Sequence, residues 1–161
     1  MLHKRSYTVA LLICLLPLFL PSPSYAWTGA CVAVTDGDTI KVMHEGKTEK
    51  IRLYGIDCPE KKQPFGTKAK QFTGGLVFGK IVDVDALEKD RYGRTIAWVY
   101  ISDKCLNGEL LKAGLAWHYK RYSKETSLAE IEDTAKLQKI GLWTDPHPVP
   151  PWSWRRERRP K

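Results

Sequence analysis

The stretch Ile51-Arg52-Leu53-Tyr54-Gly55-Ile56-Asp57-Cys58-Pro59-Glu60 joins an apolar strand to one fixed cation and two carboxylates. Ile51 and Leu53 alternate with Arg52 in strand fashion. Gly55 then loosens the chain, and Pro59 stops it because proline has no N–H to give to a ladder. Charged side chains are rarely buried unless they are paired or bound to a metal. A charged cluster at the end of an apolar strand therefore marks either a surface turn or a site.

Upstream, Cys31–Val34 and Ile40–Val42 read as strands joined through Thr35-Asp36-Gly37-Asp38-Thr39, and Asp-Gly between apolar runs is a hairpin signal. A second turn, His44 to Lys47, leads to the strand at Lys50–Leu53, which makes a three-stranded meander. Asp36 and Asp38 suit the turn on their own account, since carboxylates bond their neighbouring backbone there.

Downstream, Ala69, Phe72 and Leu76 mark a helix face between Gly66 and Val77. Gly74-Gly75 weakens it by about 1 kcal/mol per glycine. Strands follow at Lys80–Ala86 and at Arg94–Ile101, the latter apolar on both faces with Trp98 and Tyr100 expected in the core. Two more helices are expected. Leu106, Leu110 and Ala113 mark the first, with Asn107 as its cap. Leu128, Ile131 and Ala135 mark the second, with Ser127 and Glu130 in capping-box spacing. Five short strands, with helices inserted after the third and the fifth, predict an α+β fold: a five-stranded OB-fold β-barrel with about three helices.

The two ends differ in character from this middle. Residues 1–26 carry Lys4 and Arg5, an apolar run from Val9 to Leu20 and the small-x-small pattern Ser24-Tyr25-Ala26, which is a secretory signal. Its twelve apolar residues fall short of the roughly twenty that span a bilayer. The expected mature chain is exported, periplasmic or secreted, monomeric and not membrane-associated. Residues 27–144 form the expected domain. Residues 145–161 are proline-rich and then basic, a tail expected to be solvated, with non-specific phosphate affinity as its alternative role.

The precursor's net charge of +8 falls to +6 without Lys4 and Arg5, which fits a polyanionic partner and fits plain solubility almost as well. Cys31, Cys58 and Cys105 remain after cleavage. Their spacing does not fix a disulfide; Cys31 with Cys105 is the favoured pair because Cys58 falls inside the charged stretch. Scattered histidines and the absence of a Cys-x-x-Cys argue against structural zinc.

Asp38, Arg52, Asp57, Glu60 and Arg94 together form a set suited to phosphodiester hydrolysis. Carboxylates and carbonyl oxygens hold a hard divalent cation. A further carboxylate activates water, and arginine forks match phosphate oxygens where lysine offers only a point charge.

At Asp36-Gly37-Asp38-Thr39, Arg52 through Asp57-Cys58-Pro59-Glu60, Tyr92-Gly93-Arg94 and Gly114-Leu115-Ala116, the chain resembles the thermonuclease, staphylococcal-nuclease-like family, from about Cys31 to Trp143. Pro150 to Arg155, Pro-Pro-Trp-Ser-Trp-Arg, also resembles the ending of exported bacterial relatives.

The resemblance implies calcium-dependent cleavage of DNA and RNA, single strands preferred, leaving 3′-phosphate ends. It implies Asp38, Asp57 and the main-chain carbonyl of Cys58 as metal ligands, and Asp36 just outside them. Oxygen ligands alone leave magnesium and manganese open. Glu60 is implied as general base, and Arg52 and Arg94 as phosphate-binding residues. Arg91, Tyr92 and Tyr122 are further candidates for substrate contact. Cys58 replaces the threonine of the best-known member, which puts a thiol with expected oxidation sensitivity beside the metal. Lys120 stands where the family has one of two nucleotide-packing tyrosines, so base preference does not carry over. The rival reading is an OB-fold module that binds nucleic acid without cutting it.

Overall fold

A computed structural model of the protein describes residues 25–158. The signal assignment therefore lies outside the described residues except at Tyr25 and Ala26, where the first strand begins. That strand, β1 (Tyr25–Asp36), pairs antiparallel with β2 (Thr39–His44), which pairs with β3 (Lys47–Leu53). After a two-residue strand β4 (Ile56–Asp57) come helix α1 (Gly66–Val77) and strands β5 (Ile81–Lys89) and β6 (Thr95–Ile101). β5 pairs with both β1 and β6, and β3 pairs in parallel with β6 through Ile51–Thr95, Arg52–Ile96 and Leu53–Ala97. These pairings close β1-β2-β3-β6-β5 into the five-stranded barrel of an OB-fold. Beyond it lie β7 (Lys104–Cys105), α2 (Leu106–Lys112), β8 (Trp117–His118), α3 (Thr126–Leu137), a 3₁₀ turn at Gly141–Thr144 and α4 (Pro151–Glu157).

The barrel follows from strict alternation. Ile40 and Val42 in β2, Ile51 and Leu53 in β3, and Val82 and Val84 in β5 are buried, while Lys41, Lys50 and Asp83 face out. In β6 the inward residues are Ala97 and Val99, so Trp98 and Tyr100 are half-buried on the outer face rather than in the core. The pleat of β6 turns Ala97 and Val99 to the inner face and Trp98 and Tyr100 to the other.

Asn107 is not a cap. It lies inside α2, fully buried, accepting from Val99 N–H and donating through Nδ2 to the Tyr54 carbonyl. It thus fastens α2 to β6 and to the turn that leads toward Asp57. Nor does Ser127 form a capping box, since α3 starts at Thr126 with no side-chain cap. Helix α1 runs through Gly74-Gly75, and its Thr73 hydroxyl donates to the Gly37 carbonyl at 2.6 Å, tying the helix to the β1–β2 turn.

Two further expectations change. Among the described residues Cys31, Cys58 and Cys105 are all free thiols. β1 and β7 are separated in the sheet by β5 and β6, so Cys31 and Cys105 do not lie on neighbouring strands. From Asp145 to Arg158 the chain does not run free in solvent. Pro151 is buried at the first turn of α4, where a proline costs no hydrogen bond, and Trp152 packs face to face on Tyr119. With α4 the helices number four among the described residues.

Candidate active site

The site forms where the β1–β2 turn meets the end of β3. Arg52 lies opposite Thr39 across the β2–β3 pair, which sets its side chain beside Asp38. Gly55, at φ 73°, turns the chain back on itself, and β4 is then caught against β8 by the pairs Ile56–His118 and Asp57–Trp117. That two-residue pairing fixes Asp57, and it was invisible in the sequence because two residues display no period.

Arg52 holds the cluster together. Its Nη1 donates to the carbonyls of Leu53 and Ile56 at 3.1 and 2.9 Å and lies 3.2 Å from Asp38 Oδ2; its Nη2 donates to Asp57 Oδ1 at 2.9 Å. Asp38 Oδ2 also accepts from Cys58 N–H at 2.6 Å, and Asp38 Oδ1 accepts from the Thr39 hydroxyl. Asp36 Oδ1 accepts from Asp38 N–H at 3.2 Å, so Asp36 supports the turn from outside the cluster.

Electrostatics follow from burial. Asp57 is 2 % exposed and Asp38 6 %. Burial pushes the Asp57 carboxyl up against the pull of the adjacent guanidiniums, and burial, then the charge of Asp38, raises Asp36 to about 6. Burial alone would push Arg52 down, but Asp38 and Asp57 outweigh it and hold the guanidinium charged. The Cys58 thiol is buried and pushed well up by desolvation and then by the charge of Asp38. It is therefore an inert core thiol, not the oxidation-sensitive group expected from its place in the sequence.

Glu60 stands apart, 41 % exposed at the mouth, with its N–H donated to Gln63 Oε1. It joins the cluster through Arg155, which closes the Pro150–Arg155 motif but to which the sequence reading gave no role. Arg155, on α4, donates from Nη1 to Glu60 Oε1 at 2.6 Å and to Asp57 Oδ1 at 3.3 Å, and from Nη2 to Asp57 Oδ2 at 2.7 Å. The available signal was a pair of tryptophans in a basic tail, since a solvated segment has no use for Trp152 and Trp154.

Arg94 is not drawn into these contacts. Its Nε and Nη2 both bind Asp90 Oδ2 at 2.7 Å. Arg91 and Tyr92 sit with it, Arg91 Nη2 donating to the exposed Tyr92 hydroxyl and both guanidiniums lying over the Tyr92 ring. Tyr122 is exposed and meets Tyr119 edge to face.

The family model described as staphylococcal nuclease homologue matches residues 50–145. The chain belongs to that family. This nuclease homologue is 45% identical over 128 residues to an uncharacterized endonuclease of Escherichia coli O157:H7, covering 79% of this chain and 84% of that one. It is 38% identical over 151 residues to a micrococcal nuclease of Shigella flexneri, covering 86% and 87%. It is 36% identical to protein ParB of Escherichia coli over 169 residues, covering 97% and 96%.

The buried oxygen donors of the cluster suit a hard cation in kind. Among the described residues no three His, Cys, Asp or Glu side chains converge as a ready ligand set. Asp38 and Asp57, both within reach of Arg52, supply two carboxylates, and the Cys58 carbonyl and water would complete a shell for calcium or magnesium.

Proposed function

We propose that this nuclease hydrolyses phosphodiester bonds of DNA and RNA with Glu60 as general base, in a calcium-dependent reaction that leaves 3′-phosphate ends. The observation that carries the reading is the division of the carboxylates by burial. Asp38 and Asp57 are sunk in the wall and fixed by Arg52, as ligands should be, while Glu60 is at the mouth where water and substrate arrive. When bound, a divalent cation supplies charge neutralisation at the phosphate. Asp38, Asp57 and the Cys58 carbonyl would hold it.

Glu60 takes a proton from the attacking water; a positioned base of this kind contributes about 10²–10⁴-fold. Attack in line with the P–O5′ bond breaks that bond and leaves a 5′-hydroxyl. Guanidiniums at the mouth meet the charge that develops on the phosphoryl oxygens. Arg94 reaches that role by exchanging Asp90 for phosphate, and the exposed Arg91–Tyr92 pair offers a ring on which an unpaired base stacks, which favours single strands. The apolar run and cleavage pattern in residues 1–26 support export of the mature chain, to the periplasm or the medium.

The test is cleavage of single-stranded DNA by the purified protein with calcium and with chelator, with end-group analysis. Calcium-dependent cutting to 3′-phosphates, lost in Glu60→Gln, is expected. Binding without cleavage under any divalent metal would reduce the barrel to a binding module.

A further inference from the structure

An arginine carries five N–H donors in one plane. In Arg155 the end-on edge is spent: Nη1 and Nη2 face the two oxygens of Asp57, and the second Nη1 hydrogen goes to Glu60 Oε1. The side-on edge, made of Nε–H and the remaining Nη2–H, meets no protein acceptor among the described residues. The side chain is 39 % exposed, and that edge is the one left for an acceptor from outside the protein.

The backbone carrying it is anchored. Trp152 lies 2° from parallel on Tyr119 and edge-on to Trp117, and Pro151 is buried. Gln63 donates from Nε2 to the Val149 carbonyl at 2.6 Å while its Oε1 accepts from Glu60 N–H. One side chain thus ties the loop bearing Glu60 to the segment entering α4. The other two arginines are placed differently. Arg52 is 12 % exposed, with Nη1 given to two carbonyls, and Arg94 is paired with Asp90.

We propose that Arg155 is a third guanidinium of the active site, gripping Asp57 and Glu60 end-on while presenting its side-on edge to the oxygens of the scissile phosphate. The proposal rests on the nuclease reading above. Charge supports it in the metal-free protein: Asp38, Asp57 and Glu60 set against Arg52 and Arg155 leave one net negative charge, and without Arg155 two, facing an anionic substrate. A side-on fork also matches two phosphate oxygens at once. Arg155 would then be a catalytic residue contributed by the segment after the barrel, more than 90 positions from both of its partners.

Arg155→Ala and Arg155→Lys would be compared with wild type in two assays. One is anisotropy of a labelled single-stranded oligothymidylate in chelator, where no cleavage intrudes. The other is steady-state cleavage with calcium. We expect Arg155→Ala to bind about tenfold more weakly, the scale of a lost charge-assisted hydrogen bond, and to lose about tenfold to a hundredfold in kcat/KM. Arg155→Lys recovers part of each, since charge survives and the fork does not. Urea midpoints show whether both variants remain folded. Unchanged oligonucleotide binding, or kcat/KM equal to or above wild type, overturns the proposal; a rise would make Arg155 a plug on the carboxylates. A wild type that cleaves nothing sinks the nuclease reading instead, while the binding assay still decides whether Arg155 meets phosphate.

Discussion

Replacing Arg52 by methionine removes a guanidinium that no other described residue duplicates at Asp38. The side chain is 12 % exposed and contacts Asp38 at 3.2 Å, Asp57 at 2.9 Å and two main-chain carbonyls. Methionine fills much of the volume, so the loss is electrostatic rather than a cavity. Asp57 keeps Arg155, but Asp38 has no other cation within ion-pair distance among the described residues. Stripping one partner from a buried ion pair costs about 3–5 kcal/mol, because the remaining charge is left in a poorly polarisable site. Against a typical total stability of about 5–15 kcal/mol, that is about a fifth or more.

Urea unfolding followed by tryptophan fluorescence measures this as a fall in midpoint at constant slope. The cause is isolated by adding Asp38→Asn. Alone, Asp38→Asn destabilises; in the Arg52→Met background its effect is less unfavourable by about 0.5–3 kcal/mol, a coupling expected of groups in direct contact. A loss below about 1 kcal/mol for Arg52→Met, the range of an exposed pair, would refute the reasoning. So would a double variant whose loss is the simple sum of the single ones.

Three further outcomes are expected. Gly66→Ala places a Cβ 1.9 Å from the Glu60 carbonyl oxygen, so the Glu60 loop must move. Turnover should fall by at least about tenfold, as misplacement of a catalytic group by 1 Å can cost a hundredfold, and wild-type turnover would count against Glu60 as base. Arg94→Ala should lower kcat/KM for single-stranded DNA by about tenfold or more, with a urea midpoint close to wild type because its pair with Asp90 is near the surface. Activity equal to wild type would remove Arg94 from the site. Burial, partly countered by Glu132, pushes the His118 imidazole down, with Lys120 and Lys136 adding to the downward push. The unfolded chain then binds a proton that the folded one refuses, so stability is full above about pH 6.5 and declines as pH drops below it. His118→Leu should flatten that part of the midpoint-against-pH curve, and an unchanged slope would show that other groups cause it.

By itself, the sequence determined the barrel and named most of the charged residues that the structure clusters. Alternation such as Ile40-Lys41-Val42 and the Asp36–Thr39 and Gly55 turns are local signals, since side chains on a strand alternate whatever lies beyond it. They place Asp38, Arg52 and Asp57 at strand ends, where the structure brings them together. Local signals misled where packing overrides propensity. Asn107 is a good cap by type, yet a buried strand edge with a free N–H at Val99 claimed its amide. Trp98 and Tyr100 are apolar enough for a core, yet the pleat turns Ala97 and Val99 inward in their place.

Tertiary structure alone decided which guanidinium meets which carboxylate. Asp57 is set by a two-residue pairing with Trp117, and Arg155 is delivered by a helix whose stability comes from Trp152 on Tyr119 and Pro151 in the core. A seven-residue helix is too short to persist on its own propensity. Its existence, and with it the place of Arg155, is a property of the surface on which it docks rather than of the residues that compose it.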